Sequence, residues 1–410
     1  MGIITFNFFL PILIATALFR AAPAFAQGAA SQPAAAQPAA PLPAEASSLD
    51  PAPPETSSVE AAPVVEKKVD KSLKWKGDLR LRGQIENTEA ADSRKTGRIR
   101  ARLGFRADVS ETLGTEFRLA TTTNYRSTNQ SLGDDKDPGF TRRYMGLDLA
   151  YADWKPTSWF RLNAGRIPQW HQRPGGTQVL LDEDIALEGY SVRGEAPLTE
   201  SWKIGWGVGS ALIRENYDAL VYSEDHTDNF LHTGDLTFIN DDWKFKIGIS
   251  VFNFVGVQGR LFSELAAGGA PLGNSEFPAG TVKNNFRPVR AYVDQGFAAL
   301  GGDMNLFAER IVNEDTRDPN RAWWIGTGYS RKPWTAQIAY GEIESDAVPA
   351  VFTFSDFAAG QTDTRGFMWS LQYQINKNFN FKYTQFANRQ FVSERNLQYV
   401  RTHLDLSGSF

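Results

Sequence analysis

The sequence predicts an all-β fold, a transmembrane antiparallel β-barrel of about sixteen strands with short periplasmic turns and long extracellular loops. Three observations predict it. Apolar and polar residues alternate with a period of two from Leu73 onward. Short turns and long loops alternate between these periodic segments, and aromatic residues gather beside the short turns. Successive side chains of a strand point to opposite faces, so a period of two builds one apolar and one polar face. No segment sustains the apolar period of a core helix.

The first 26 residues read as a signal peptide: "IITFNFFLPILIATAL" is a short apolar stretch, and "AFA" before Gln27 fits a small-residue cleavage site. A spanning helix needs about 20 apolar residues, and no later segment offers them. Residues 27–72 are dominated by Ala, Pro, Ser and Glu. Such a composition cannot bury enough apolar surface to offset chain entropy, so a disordered periplasmic linker is expected. The barrel is expected over residues 73–410.

In "LKWKGDLRLRGQIE", Leu73, Trp75, Gly77, Leu79, Leu81, Gly83 and Ile85 share one face, and the charged residues share the other. The same texture marks strands near 73–87, 97–109, 115–123, 143–154, 159–167, 185–196, 202–212, 229–239, 243–254, 288–299, 304–313, 322–330, 334–343, 365–375, 379–387 and 397–410. "AALGGDMNLF" leaves the division at 288–313 open. "SETLG", "KPTS", "PLTE", "NDD", "LGGD", "RKP" and "NKN" are turn sequences, whereas 124–142, 168–184, 213–228, 255–287 and 344–364 are long. Each strand with its connection then takes about 21 residues, a reasonable load for tilted strands of roughly 10 residues. Trp75, Trp159, Trp202, Trp243, Trp334, Phe379 and Phe410 sit beside the short turns, where an interfacial girdle belongs.

The last strand, "VRTHLDLSGSF", alternates and closes on Phe410, which resembles the assembly signal of Gram-negative outer-membrane proteins. "WKGDLRLRGQ", "RIRARLGFRADV", "FRLATTTNYRSTNQSLG", "LDLAYADWKP" and "LNAGRIP" together resemble the putative porin family of bacterial outer membranes. The resemblance implies a general-porin-like barrel in the cell outer membrane, reached by export through the periplasm. It implies passive diffusion of small hydrophilic solutes and ions, and no enzymatic activity. Expected partners are outer-membrane lipid and lipopolysaccharide, the barrel-assembly machinery and two further copies in a homotrimer.

In "GRIRARLGFRADVS", Arg98, Arg100, Arg102 and Arg106 oppose Ile99, Leu103 and Phe105. An arginine facing lipid at mid-membrane costs roughly 2–4 kcal/mol, so the arginines belong to the water-filled lumen. Lys74, Lys76, Arg80, Arg82 and Arg118 extend this pore-lining basic wall onto neighbouring strands and suggest an anion preference. Asp182, Glu183 and Asp184 lie in the connection after the fifth strand. By resemblance to general diffusion porins, that loop folds into the barrel as a constriction. Two plainer readings stand beside these: the arginines pair with Asp78, Glu86, Asp108, Glu116 or Asp148 and simply fill the barrel, or the acidic loop stays outside.

Other chemistry finds little support. The chain of 410 residues has no Cys, a formal net charge of −4 and four His without ligand spacing, so no metal site or cofactor is expected. His403 has no nucleophile motif beside it, and the arginine face lacks the interleaved aromatics of a nucleic-acid binder. "GWGVGS" and "GTGYS" sit in strands, where small residues facing the lumen explain them better than a phosphate loop. "GDDKDPG" and "NEDTRDPN" read as solvated acidic loops, with cation bridging to lipopolysaccharide as the alternative. A substrate-specific channel for oligosaccharide, phosphate or an organic acid, and a structural or adhesive outer-membrane protein, are the rival functions.

Overall fold

A computed structural model of the chain describes residues 73–122, 127–133, 139–216, 228–278 and 280–410. The expected signal peptide (1–26) and linker (27–72) lie outside the described residues, as does most of "GDDKDPG".

The strands are β1 (Leu73–Thr88), β2 (Ala91–Asp108), β3 (Leu113–Thr122), β4 (Gln130–Leu132), β5 (Tyr144–Thr157), β6 (Phe160–Ile167), β7 (Leu187–Pro197), β8 (Trp202–Arg214), β9 (Asn229–Asn240) and β10 (Phe245–Val255). They continue as β11 (Glu276–Phe277), β12 (Thr281–Val282), β13 (Pro288–Ala299), β14 (Gly302–Asn313), β15 (Arg321–Arg331), β16 (Trp334–Ile343), β17 (Thr364–Gln374), β18 (Phe379–Gln390) and β19 (Leu397–Ser409). β11 and β12 form a small hairpin of their own, and the other seventeen make one sheet. β4 is only three residues long, so sixteen strands form the wall. Every pairing is antiparallel, and β1 pairs with both β2 and β19, which closes the barrel.

The open division at 288–313 resolves into β13 and β14, joined at Leu300–Gly301, both with positive φ (52° and 72°). That is the conformation of a tight hairpin turn matched to strand twist. The first two strands run further than the alternation suggests, because β2 begins at Ala91. Its extension "ADSRKT" is polar on both sides and largely exposed, so no apolar period marks it.

One face of the wall is apolar and open to the surroundings. Leu79, Leu81, Leu103, Val208, Ile249, Leu306, Ile325, Ile338, Leu371 and Leu404 are exposed large hydrophobics. Water would oppose such a band, whereas hydrocarbon accepts it. Trp75, Trp159, Trp243, Trp334, Phe379 and Phe410 are exposed at the short-turn end, and Trp202 stacks edge-on against Trp243.

The other face lines an interior that loops partly fill. Residues 168–186, 256–278, 280–287 and 344–363 pack inward, and their Val179, Leu180, Leu181, Phe262, Phe352, Phe354 and Phe357 join one buried cluster with Phe252, Phe254, Phe307, Ile311, Trp324 and Phe386 of the wall. Inward-facing wall residues from β10 to β18 combine this apolar cluster with buried Arg290 and Glu309, whereas those on β19, β1, β2 and β3 are largely charged.

Candidate functional site

The basic row lies on the inner face. Arg80 and Arg82 of β1 are buried, alternating with exposed Leu79 and Leu81. Register places Arg80 opposite Arg100 and Arg82 opposite Arg98, so the positive charges form a ladder across β1 and β2. Lys74 and Lys76 stand at the short-turn mouth, exposed, with Asp108 2.7 Å from Lys74 and Glu116 3.9 Å from Lys76.

Most of the row is paired. Arg100 and Arg102 share Asp78 (3.1 and 2.6 Å), Arg106 reaches Asp108 (3.3 Å) and Asp153 (2.9 Å), and Arg118 holds Asp148 at 2.6 Å. A bulge in the β3–β5 pairing turns both Asp148 and Leu149 inward, which puts that carboxylate within reach. Arg82 grips Asp405 with two hydrogen bonds of 2.7 and 3.0 Å. Among the described residues, Arg80 and Arg98 touch no carboxylate: Arg80 donates to Asn129, and Arg98 donates to Gln84 at 3.3 Å. Pairing and lumen lining thus coexist in this row. Desolvated guanidinium groups need such acceptors, and bidentate carboxylates supply them best.

The loop after β6, the fifth wall strand, crosses the interior. Its turn Pro174–Gly176 rests on the far wall: Gly175 donates its N–H to Asp294 of β13 (3.4 Å) and accepts from Gln337 of β16 (2.7 Å). Thr177 donates to Glu309 of β14 at 2.5 Å. A Cβ on Gly175 would lie 2.4 Å from the Phe307 ring, and its φ of +58° also favours glycine. The glycines of "GWGVGS" have a matching role, since a Cβ on Gly207 would meet Trp170 of this loop at 2.2 Å. His171 beside it is buried between Trp170 and Phe252, with ring centroids 4.0 and 4.6 Å away, and burial holds it neutral well below its usual range.

The three acidic residues of this loop separate. Asp182 does not face the arginine row: it is buried and accepts backbone N–H bonds from Ser355 (2.8 Å) and Asp184 (2.9 Å). Alternation and composition count it with its neighbours, and only the packing of a second loop removes it. Asp184 accepts from Thr128 (3.0 Å) and Asn129 (3.2 Å), next to Arg80. Glu183 alone is exposed, and its charge acts on Arg80, Arg82 and Lys382.

The strand alternation does not mark the second loop, residues 344–363, as part of the lumen. Its tip places Asp356 against the ladder, 3.3 Å from Arg82, 3.1 Å from Arg401 and 3.8 Å from His403. Burial would raise this carboxyl, and the charges of His403, Arg82 and Arg401 outweigh it, so it lies well below the usual carboxylate range. Arg401 also holds Glu86 at 2.5 Å and donates to the Ser355 carbonyl at 2.8 Å. The available signal was "AVPAVFTF": a loop destined for water does not carry so dense an apolar run.

This geometry describes a lumen with a basic wall, a loop carboxylate opposite it and apolar packing on the remaining side. The profile of the putative porin family matches residues 81–276 and 325–410. No curated protein matches the sequence. Among solved structures, OprB of Pseudomonas putida is similar in fold, with 9% identity over 83% of this chain and 95% of that one and a TM-score of 0.54. A triple-mutant porin of Rhodopseudomonas blastica gives 9% identity, 83% and 100% coverage and a TM-score of 0.48. A loop-deletion mutant of OmpT from Vibrio cholerae gives 11%, 83% and 99%, and 0.46. With its profile match extending over more than half of a chain that closes into sixteen antiparallel strands, this protein belongs to the putative porin family, a porin-type channel of the outer membrane.

Proposed function

We propose that the protein passes small hydrophilic solutes and ions by diffusion along its basic wall, with a preference for anions. The observation that carries this reading is the ladder of Arg80, Arg82, Arg98 and Arg100 across β1 and β2, faced by the exposed Glu183 of an inward loop. Charges of opposite sign across a narrow aqueous passage orient polar solutes, and a surplus on one wall biases ion passage. Trimer formation, assembly through the barrel machinery and contact with lipopolysaccharide accompany this proposal as properties of such a channel. So does export by a cleaved signal peptide.

Planar-bilayer recording of the folded protein tests it. Stepwise conductance is expected, with a reversal potential in a salt gradient displaced toward the anion. Replacing Arg98, Arg100 and Arg102 by Gln together should move that potential toward zero. A folded protein without conductance steps rejects the channel. An unmoved reversal potential rejects the selectivity.

A second reading has its own observation. The loops at 168–186, 256–278, 280–287 and 344–363 fill part of the interior with apolar packing, which favours a restricted, solute-selective passage over a wide pore. Saturable block of the ionic current by one solute class would select this reading.

A further inference from the structure

The rows of inward-facing residues continue around the seam of the barrel onto strands that carry none of the recognised basic wall. Asn380 of β18 stands opposite Ser407 of β19, Ser407 opposite Arg80 of β1, and Arg80 opposite Arg100 of β2. In the adjacent row Lys382 stands opposite Asp405, Asp405 opposite Arg82, and Arg82 opposite Arg98. Lys382 shares the inward face of β18 with buried Thr384, Phe386 and Asn388.

This patch has unused hydrogen-bonding capacity. Asp405, the register partner of Lys382, has both oxygens occupied by Arg82. Among the described residues Lys382 has no ion pair or hydrogen bond, and the side chains of Ser407 and Asn380 have no hydrogen bond either. Arg80 is 8% exposed, yet among the described residues its Nε has no acceptor. Buried polar donors in folded proteins are as a rule satisfied, and an unmet guanidinium N–H in a charged cleft leaves a position for an acceptor. A loop carboxylate nearby is Glu183, which is exposed and acts on the same two cations.

We infer that Lys382, Arg80, Ser407 and Asn380 form an anion seat for the carboxylate or phosphate group of a small hydroxylated solute. The inference rests on the channel reading and narrows it to a solute class. Register brings four kinds of donor onto two adjacent inward rows: an ammonium, a guanidinium, a hydroxyl and an amide. Glu183 opposite offers only acceptors, so it repels a second anionic group and accepts from solute hydroxyls. A solute with one anionic end and a hydroxylated body satisfies both sides, whereas a neutral sugar leaves the cations unmet and a compact inorganic anion leaves Glu183 unmet.

The full chain in planar bilayers, conducting chloride, provides the test with gluconate, glucose 1-phosphate and glucose as probes. Gluconate and glucose 1-phosphate should block the chloride current saturably, and glucose should not; whichever of the first two blocks at lower concentration identifies the preferred oxyanion. Lys382→Gln should raise the half-blocking concentration about tenfold, the value expected for one charge-assisted hydrogen bond, and Ser407→Ala should add to it. Lys382→Arg should restore block. Unchanged electrophoretic heat-resistance of each variant shows that the barrel is folded. Linear, unsaturable block, or block unaffected by Lys382→Gln in a folded barrel, overturns the seat while leaving the channel intact. Absence of any conductance overturns the channel and the seat together.

Discussion

Asp182 shows how much a single residue's role depends on what covers it. Its carboxyl is raised from an ordinary 3.8 to about 6 by burial and then by the neighbouring Asp184, while the hydrogen bond from Ser355 pulls the other way. A raised carboxyl means that the docked loop holds a proton that the released loop gives up between about pH 4 and 6. Docking is therefore strongest below that window and loses about 3 kcal/mol as pH rises through it. Open-channel current noise should fall when pH is lowered from 7.5 to 5, and Asp182→Asn should be quiet at both values. Noise independent of pH in the unmodified protein would contradict the assignment. Glu183 and Asp184, its sequence neighbours, have different partners, and nothing in the letters "DED" distinguishes the three.

At the scale of elements, one loop supports another. Residues 344–363 are anchored to the wall where Ala358 donates to Asn388 (3.0 Å) and accepts from Gln390 (2.7 Å). They hold the loop after β6 in turn: Thr353 donates to the Val179 carbonyl (2.6 Å), and Asp182 donates its N–H to the Phe352 carbonyl (2.8 Å). Asp356 fastens the far end on Arg82 and Arg401. Asp356→Ala removes a partly exposed carboxylate and leaves Arg82 with Asp405, and Arg401 with Glu86. We expect larger and noisier conductance steps and a reversal potential displaced further toward the anion, with docking weakened by about 1–3 kcal/mol. Steps of unaltered size and selectivity would show that this loop does not control the passage. The strands themselves were legible because lipid enforces a strict apolar face. The inward course of residues 344–363 was not, because an inward loop and a solvated loop differ only in apolar density, as in "AVPAVFTF".

For the whole molecule, closure is decided at the seam between β1 and β19. Gly77 donates its N–H to the Phe410 carbonyl (3.1 Å) and accepts from the Phe410 N–H (3.0 Å). A Cβ on Gly77 would lie 2.2 Å from the Phe410 ring, so glycine gives the last aromatic its place over β1. The ring is 74% exposed and can swing aside, so Gly77→Val is expected to cost about 1–3 kcal/mol without preventing folding. The check is the temperature at which the folded, fast-migrating form disappears on a denaturing gel, which should fall. No change would mean that the seam holds without the ring in place.

By itself the sequence determined the wall: the strand positions, the antiparallel barrel and the inward direction of Arg80 to Arg106. Each follows from a period of two enforced by lipid on one side and water on the other. Tertiary structure decided what stands inside the wall. Which carboxylate faces the arginines, which loops fill the lumen and which cations keep free donors depend on contacts between residues up to 323 positions apart, as in Arg82 and Asp405. No local period encodes such contacts, because a lumen residue is polar whether it meets water, a solute or another loop.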